Sequence, residues 1–395
     1  MNSNQSFKNI PSGWKQVKLG DVFDFKNGLN KEKKYFGNGT PIINYVDVYN
    51  GGGLFVKAIK GLVEVSESEK ERFEVKKGDV FFTRTSETLN EIGFSAVALD
   101  DFRDTVFSGF VLRARQKGNL LLLNYAKYCF KTQKARQEIK EKSSYTTRAL
   151  TSGSLLKHVN ILLPSLSEQS RIVSVLETWD EAIEKISKKI QIKKQVKKGL
   201  MQNLLTGKKR LKGFIDKWNT ISLGDVCKIR TGKKDVNEGN VFGIYPFFTC
   251  AKDCTYSDNY SFDTEAILIA GNGEVGNCRY FKGKFEAYQR TYVLDDFSEN
   301  IQYIYVYLSY FFQGTISSQK QMGAMPYIKL GMLQGYKIKI PSLEKEQEAI
   351  ANILITADKE IQLLEKKLQV IKNQKNYLLN NLITGKIRTP ESMKV

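Results

Sequence analysis

The residue types able to do chemistry are few, and their spacing excludes most reactions. Histidine occurs once, at His158, so no two-histidine metal site can form within the 395 residues. Five cysteines stand at positions 129, 227, 250, 254 and 278. Only Cys250 and Cys254 are close, and a lone C-x3-C without a second pair is a weak zinc pattern. The odd count fits reduced, mostly buried thiols. Gly271-Asn-Gly273-Glu-Val-Gly276 matches G-x-G-x-x-G. A dinucleotide site also needs a helix opening at the third glycine and an acid on the next strand. Asn277 to Gly283 reads instead as a strand and turn, so a loop is expected. The matching earlier place, Thr83-Arg-Thr-Ser-Glu87, lacks glycine and aligns Glu87 with Glu274. No G-x4-G-K-[ST] loop, nucleophile–base pair or nuclease-like carboxylate cluster stands out. The Asn/Asp-Pro-Pro-aromatic tetrapeptide expected of an exocyclic-amine methyltransferase is absent. These residues point to binding rather than catalysis.

Charge indicates what is bound. Lys plus Arg is 61 against 42 Asp plus Glu, a formal net charge of +19. Residues 1–160 carry +9, 161–212 carry +7, 213–338 are neutral and 339–395 carry +3. Between Lys185 and Lys212 stand eleven Lys or Arg and no acid. A single-sign stretch repels itself unless a polyanion neutralises it, and nucleic-acid phosphate is the favoured one; an acidic protein is the other. With 41 % hydrophobic and 11 % aromatic residues the chain is no disordered basic tail. Its longest apolar-aromatic run, Ile301 to Phe312, falls short of the roughly 20 residues of a membrane span. Met1-Asn-Ser-Asn-Gln-Ser does not resemble a signal peptide, so the cytoplasm is expected.

The elements that must position any site are duplicated. Trp14…Leu19-Gly20-Asp21-Val22…Gly28 returns as Trp218…Leu223-Gly224-Asp225-Val226…Gly232. Leu163-Pro-Ser-Leu166 returns as Ile340-Pro-Ser-Leu343, and Leu204-Leu-Thr-Gly-Lys208 as Leu382-Ile-Thr-Gly-Lys386. The chain is therefore globular unit, helical unit, and both again, with a period too long for a solenoid. Ile172, Leu176, Trp179, Ile183, Ile186, Ile190, Leu200 and Leu204 follow a 3-4 spacing; so do Ile350, Leu354, Ala357, Ile361, Leu364, Leu368, Ile371, Leu378 and Leu382. Such a seam predicts two long helices pairing as a coiled coil; packing of each helix on its own globular unit is the alternative. Lys193 and Lys197 interrupt the first seam where the second has Ile371 and Lys375. Ser165 with Glu168 suggests a capping box, and Gly207 and Gly385 suggest C-terminal stops. In the globular units, strands are expected at 78–83, 109–112, 266–269 and 291–294. Helices are expected near Leu121 to Arg136 and Ile301 to Phe312.

In this order, twice over, the motifs resemble those of type I restriction-modification specificity subunits, across essentially the whole chain. The resemblance implies an α+β fold with an internal pseudo-twofold repeat. Two mixed α/β target-recognition domains (1–162 and 213–339) would be joined by two long-helix regions (163–212 and 340–388), with a tail at 389–395. The helices would pair as an antiparallel coiled coil. Each domain would read one half of a bipartite site in double-stranded DNA, and the helices would set the spacer. The chain would be non-catalytic and bind no cofactor. It would recruit two methyltransferase subunits acting on adenine N6 and the restriction/translocase subunits; S-adenosylmethionine, ATP and Mg would sit on those partners. The competing reading is a non-catalytic coiled-coil adaptor with only non-specific DNA contact.

Base readout needs side chains that hydrogen-bond base edges from loops on a rigid scaffold. The candidates are Arg84, Thr85, Ser86, Tyr145, Thr146 and Arg148 in the first unit. In the second they are Asn272, Glu274, Gln289, Arg290, Lys320 and Gln321. Phe107 and Ser108 align as counterparts of Gln289 and Arg290. Lys188, Lys189, Lys193, Lys194, Lys197 and Lys198 are candidate phosphate contacts. Trp14 and Trp218 are expected as core anchors.

Overall fold

The structure, a computed structural model, describes residues 10–318 and 327–394. Both heptad stripes form helices of 39 residues, Leu166–Leu204 and Glu344–Leu382. At ~1.5 Å per residue each is about 58 Å long. Gly207 and Gly385 end them at φ +69, a left-handed conformation that glycine adopts without Cβ strain. The contacts divide the chain into two compact units, 1–185 with 368–395, and 186–367. Each unit holds one globular repeat, half of the first long helix and half of the second.

In the first unit, strands Phe23–Asn27, Val111–Gln116, Val80–Thr83, Ser95–Ala98 and Gly52–Leu54 form a five-stranded sheet in that order. All neighbours are antiparallel except the last pair. Lys15–Lys18 pairs with Asn160–Leu163, closing the domain where its chain begins and ends. The buried core joins Phe23, Phe82, Tyr125 and Leu156 to Ile172 and Leu176 of the first long helix and to Leu379 and Leu382 of the second. The single helix expected over 121–136 is two, Leu123–Cys129 and Gln133–Lys142. Thr132 starts the second by accepting a hydrogen bond from the Ala135 amide, so a new N-cap interrupts the apolar pattern.

In the second unit a six-stranded sheet runs Lys228–Thr231, Thr291–Asp295, Phe262–Ala270, Cys278–Ala287, Tyr245–Phe248 and Thr255–Ser257. Trp218–Ser222 pairs with Lys337–Pro341, the equivalent closure. The helix Ile301–Ser318 is continuous. Its Tyr303, Ile304 and Leu308 share a core with Met201 and Leu204 of the first long helix and Ile350 and Leu354 of the second. Cys278–Ala287 stays extended through Gly283, so the turn expected before that glycine does not form.

Within each unit the two helix halves run antiparallel. In the first unit Glu168 pairs with Arg388 and Asp180 with Lys375; in the second Arg210 pairs with Glu346 and Lys197 with Asp358. Both packing partners left open by the sequence are used. Near the globular domains the stripes enter the domain cores, whereas Ile190 and Ile361 are buried outside them. The seam lysines are explained by the same pairing. Lys375 and Lys197 occupy equivalent positions and meet equivalent aspartates. A partly buried polar layer of this kind favours one register over its neighbours. Burial opposes ionisation of Asp180, yet Lys375 and the Tyr128 hydroxyl hold its carboxyl below the usual carboxylate range. The expected capping box is only half formed. The Glu168 amide donates to Ser165 Oγ (3.3 Å), but the Glu168 carboxylate binds Arg388 and Trp14 instead of returning to the helix start.

Candidate nucleic-acid interface

Each domain places loops at the same end of equivalent strands. The strand ladders fix the equivalence. Asn27 pairs with Leu112 and Thr231 with Tyr292. Gly28 and Gly232 then follow, and an added Cβ would stand 2.2 Å from the Ser108 carbonyl oxygen and 1.8 Å from that of Ala287. Only a residue without a side chain permits so close a backbone approach. The ladders also correct the alignment: Gly109 and Phe110, rather than Phe107 and Ser108, are the counterparts of Gln289 and Arg290.

In the first unit the fold joins candidate segments about sixty residues apart in sequence. Thr85–Ser86, Ala149–Leu150 and Ser144–Tyr145 make one three-stranded sheet. The Thr151 amide donates to the Arg84 carbonyl at 2.9 Å, and Arg148 pairs with Glu87 at 3.2 Å. Tyr145, Thr146 and Arg148 are exposed. Arg84 donates one N–H to the Gly109 carbonyl at 3.3 Å. It lines a cleft of about 260 Å³ with Lys26, Asn27 and Lys157. Burial and the guanidiniums of Arg113, Arg72 and Arg115, which lie outside the cleft lining, lower the Lys26 amine, and it donates to the Arg72 carbonyl. Ser86 does not face outward: it is buried, and its hydroxyl donates to Glu91 at 3.2 Å while accepting from the Thr88 amide. Its role is to hold the hairpin loop.

In the second unit the hairpin loop after Phe262–Ala270 lies beside the crossover that joins Cys278–Ala287 to Thr291–Asp295, because the Gly271 amide donates to the Arg290 carbonyl at 2.9 Å. Gly273 and Gly276 take φ +59 and +78, and the chain turns directly into the strand Cys278–Ala287. No helix opens there, so the glycine pattern builds a hairpin and not a pyrophosphate cradle. Glu274 is exposed and Asn272 half-buried. Gln289 and Arg290 are exposed, with Gln289 Nε2 donating to Asp235 at 3.1 Å. Lys320 and Gln321 lie outside the described residues. Phe110, 64 % exposed, was not singled out from the sequence, and its carbonyl accepts from the Arg84 amide at 3.1 Å.

The helix lysines divide into two sets. Lys193, Lys194 and Lys197 pair with Glu360, Glu365 and Asp358 within the second unit. The single-sign stretch is thus partly neutralised by the other long helix, which corrects the expectation that only an outside polyanion could do so. Lys188, Lys189 and Lys198 are exposed and make no ion pair among the described residues.

Trp14 is buried, with its Nε1 donating to Glu168 Oε2 at 3.0 Å. Trp218 is half-buried, and its Nε1 lacks a hydrogen-bond partner among the described residues. Both indoles carry an arginine over the ring, Arg388 at 5.7 Å and Arg210 at 5.5 Å. They are anchors for the helix ends, not stacking platforms for bases.

Comparisons with known proteins agree with this architecture. A specificity subunit of the type I restriction enzyme EcoDI from Escherichia coli is 34 % identical over 177 residues, covering 43 % of this chain and 38 % of that protein. The putative MjaX specificity subunit of Methanocaldococcus jannaschii is 25 % identical over 96 % of this chain and 95 % of its own. The crystal structure of a type I restriction-modification S subunit from M. genitalium shares the fold, with a TM-score of 0.63 at 20 % identity over 97 % of this chain and 98 % of that one. The type I restriction modification DNA specificity domain matches twice, at residues 11–194 and 215–373. Two copies of one domain, each with loops at the same end of equivalent strands, place this chain in the family of type I restriction-modification specificity subunits.

Proposed function

We propose that the chain is the non-catalytic, sequence-reading subunit of a type I restriction-modification complex. Each α+β domain reads one half of a bipartite site in double-stranded DNA. The Arg84–Arg148 cluster serves one half, and the loops bearing Glu274, Gln289 and Arg290 serve the other. The long helices set the spacing and dock two methyltransferase subunits and the restriction/translocase subunits. S-adenosylmethionine, ATP and Mg belong to those partners. The observation that carries this reading is the repeat of outward-facing loops on an equivalent, glycine-pinned scaffold. The same scaffold can then carry different readers for different base edges.

The test is co-expression with a cognate methyltransferase subunit in a methylation-free host, followed by genome-wide mapping of N6-methyladenine. The expected result is a two-part motif with a fixed gap. Replacing residues 213–338 by the equivalent domain of another family member should change one half and leave the other. A change in both halves would refute independent readers. In competition assays the chain should prefer its own site to random DNA by a factor of about 10³ or more. A ratio near one would favour the adaptor reading.

A further inference from the structure

Beside the break between helices Leu123–Cys129 and Gln133–Lys142 lies a cavity of about 450 Å³ in the first unit. Its aromatic wall contains Tyr49, Phe94 and Phe130, and its cations are Lys131, Arg136 and Lys140. The Tyr49 and Phe94 ring centroids are 5.3 Å apart. No carboxylate lines it. The positive charges are not neutralised from behind either. Arg136 spends its N–H groups on backbone carbonyls, those of Gly93 (2.7 Å), Asn90 (3.3 Å) and Ile92. Lys140 donates to the amide oxygen of Asn90 at 3.4 Å. Lys131 is exposed and makes no ion pair among the described residues. The nearest acid along the lining loop, Glu91, accepts instead from the Tyr49 hydroxyl at 2.8 Å and from Ser86 at 3.2 Å.

Cations held together without a counter-ion, beside a wall of aromatic rings, form a site for a ligand with an anionic group next to a flat ring. A volume of several hundred Å³ suits a small molecule. We propose that this cavity binds a nucleotide unit, its phosphate on Lys131 and Lys140 and its base against Tyr49 and Phe94. The unit could be supplied as a free mononucleotide or as an unstacked nucleotide of a DNA strand, since both present the same chemistry. The inference does not depend on the bipartite-site reading, because none of the residues lining the cavity is among the candidate base readers.

Titration calorimetry on the full-length chain would test it with adenosine monophosphate, adenosine and inorganic phosphate as separate probes. Adenosine monophosphate should bind at least tenfold more tightly than either of the others. Lys131→Met should weaken it at least tenfold, while Lys34→Met, outside the cavity, should leave it unchanged. Thermal melting of both variants would verify folding. Lys140→Met supplies a second variant, expected to weaken binding severalfold. Absence of binding, or equal binding by wild type and Lys131→Met, would overturn the proposal. Inorganic phosphate binding as tightly as the nucleotide would remove the base from it. If duplex or single-stranded DNA displaces the mononucleotide, the strand is the source; if both bind together, the free nucleotide is.

Discussion

The two globular units share what is buried and differ in what is exposed. Gln169 and Gln347 play one part in both: each accepts from a backbone amide at the start of a domain helix and donates to the carbonyl of the preceding Pro-Ser motif. Glu168 and Glu346 each take a two-pronged arginine. Gly28 and Gly232 meet the same backbone. Around this frame residues 1–160 carry a net +9 and a small sheet flanked by Arg84 and Arg148, whereas residues 213–338 are neutral and bring a hairpin loop beside the crossover bearing Gln289 and Arg290. The first breaks its domain helix and gains a cationic cavity; the second keeps an unbroken helix. Repetition has been kept where a change would leave a buried group unsatisfied, and lost where loops face solvent. DNA affinity should therefore be unequal between the halves, with the first domain supplying most of the phosphate attraction.

The largest test of that comparison lies in its shared part. Glu346 is fully buried and Glu168 is 3 % exposed, so removing either arginine leaves a buried carboxylate without its charge partner. Glu168 keeps the Trp14 indole N–H, while the Trp218 indole makes no such bond. Arg210→Met should therefore cost about 3 kcal/mol and Arg388→Met about 2 kcal/mol. Chemical denaturation of the two variants measures the difference. Equal losses would show that the indole bond is worth nothing, and a larger loss for Arg388→Met would reverse the ranking of the two anchors.

The reader loops come next in size. If Arg84 contacts a base edge, Arg84→Ala should cost ~2 kcal/mol on the correct site and relax the choice at one base pair of one half-site. The other half-site should be read as before. Uniform weakening on all sequences would reduce Arg84 to a phosphate contact. Arg290→Ala makes the reciprocal prediction for the other half.

How much of this was legible in the sequence follows from the same division. The long helices, their stops at Gly207 and Gly385, and the central strands were visible because apolar periodicity and glycine punctuation are local signals. The ion pairs joining Lys193, Lys194 and Lys197 to the other helix were not, because they depend on register between segments more than 150 residues apart. Ser86 looked like a reader by residue type, yet its direction was fixed by pairing with Ala149. The break at Thr132 was hidden in an apolar run, since one hydroxyl cap weighs little against a continuous pattern. Glu168 was read as a cap from its spacing to Ser165, and a remote arginine took it instead.

The smallest predicted effect separates the two sets of helix lysines. A lysine that contacts phosphate displaces a counterion, so its loss should flatten the log K against log salt slope by about 0.9. Lys198 is exposed and without an ion pair among the described residues, whereas Lys197 is already held by Asp358. Lys198→Gln should lower the slope if the helices touch the DNA backbone. Lys197→Gln should leave the slope unchanged and cost only a fraction of a kcal/mol in stability, because the pair is partly exposed. Titrations of one bipartite duplex at several salt concentrations distinguish the cases. If neither slope moves, the exposed lysines belong to a protein-docking face and the phosphate contacts lie on the domains alone. If Lys197→Gln moves it as much as Lys198→Gln, the ion pair opens on binding and the seam gives up its polar layer to the DNA.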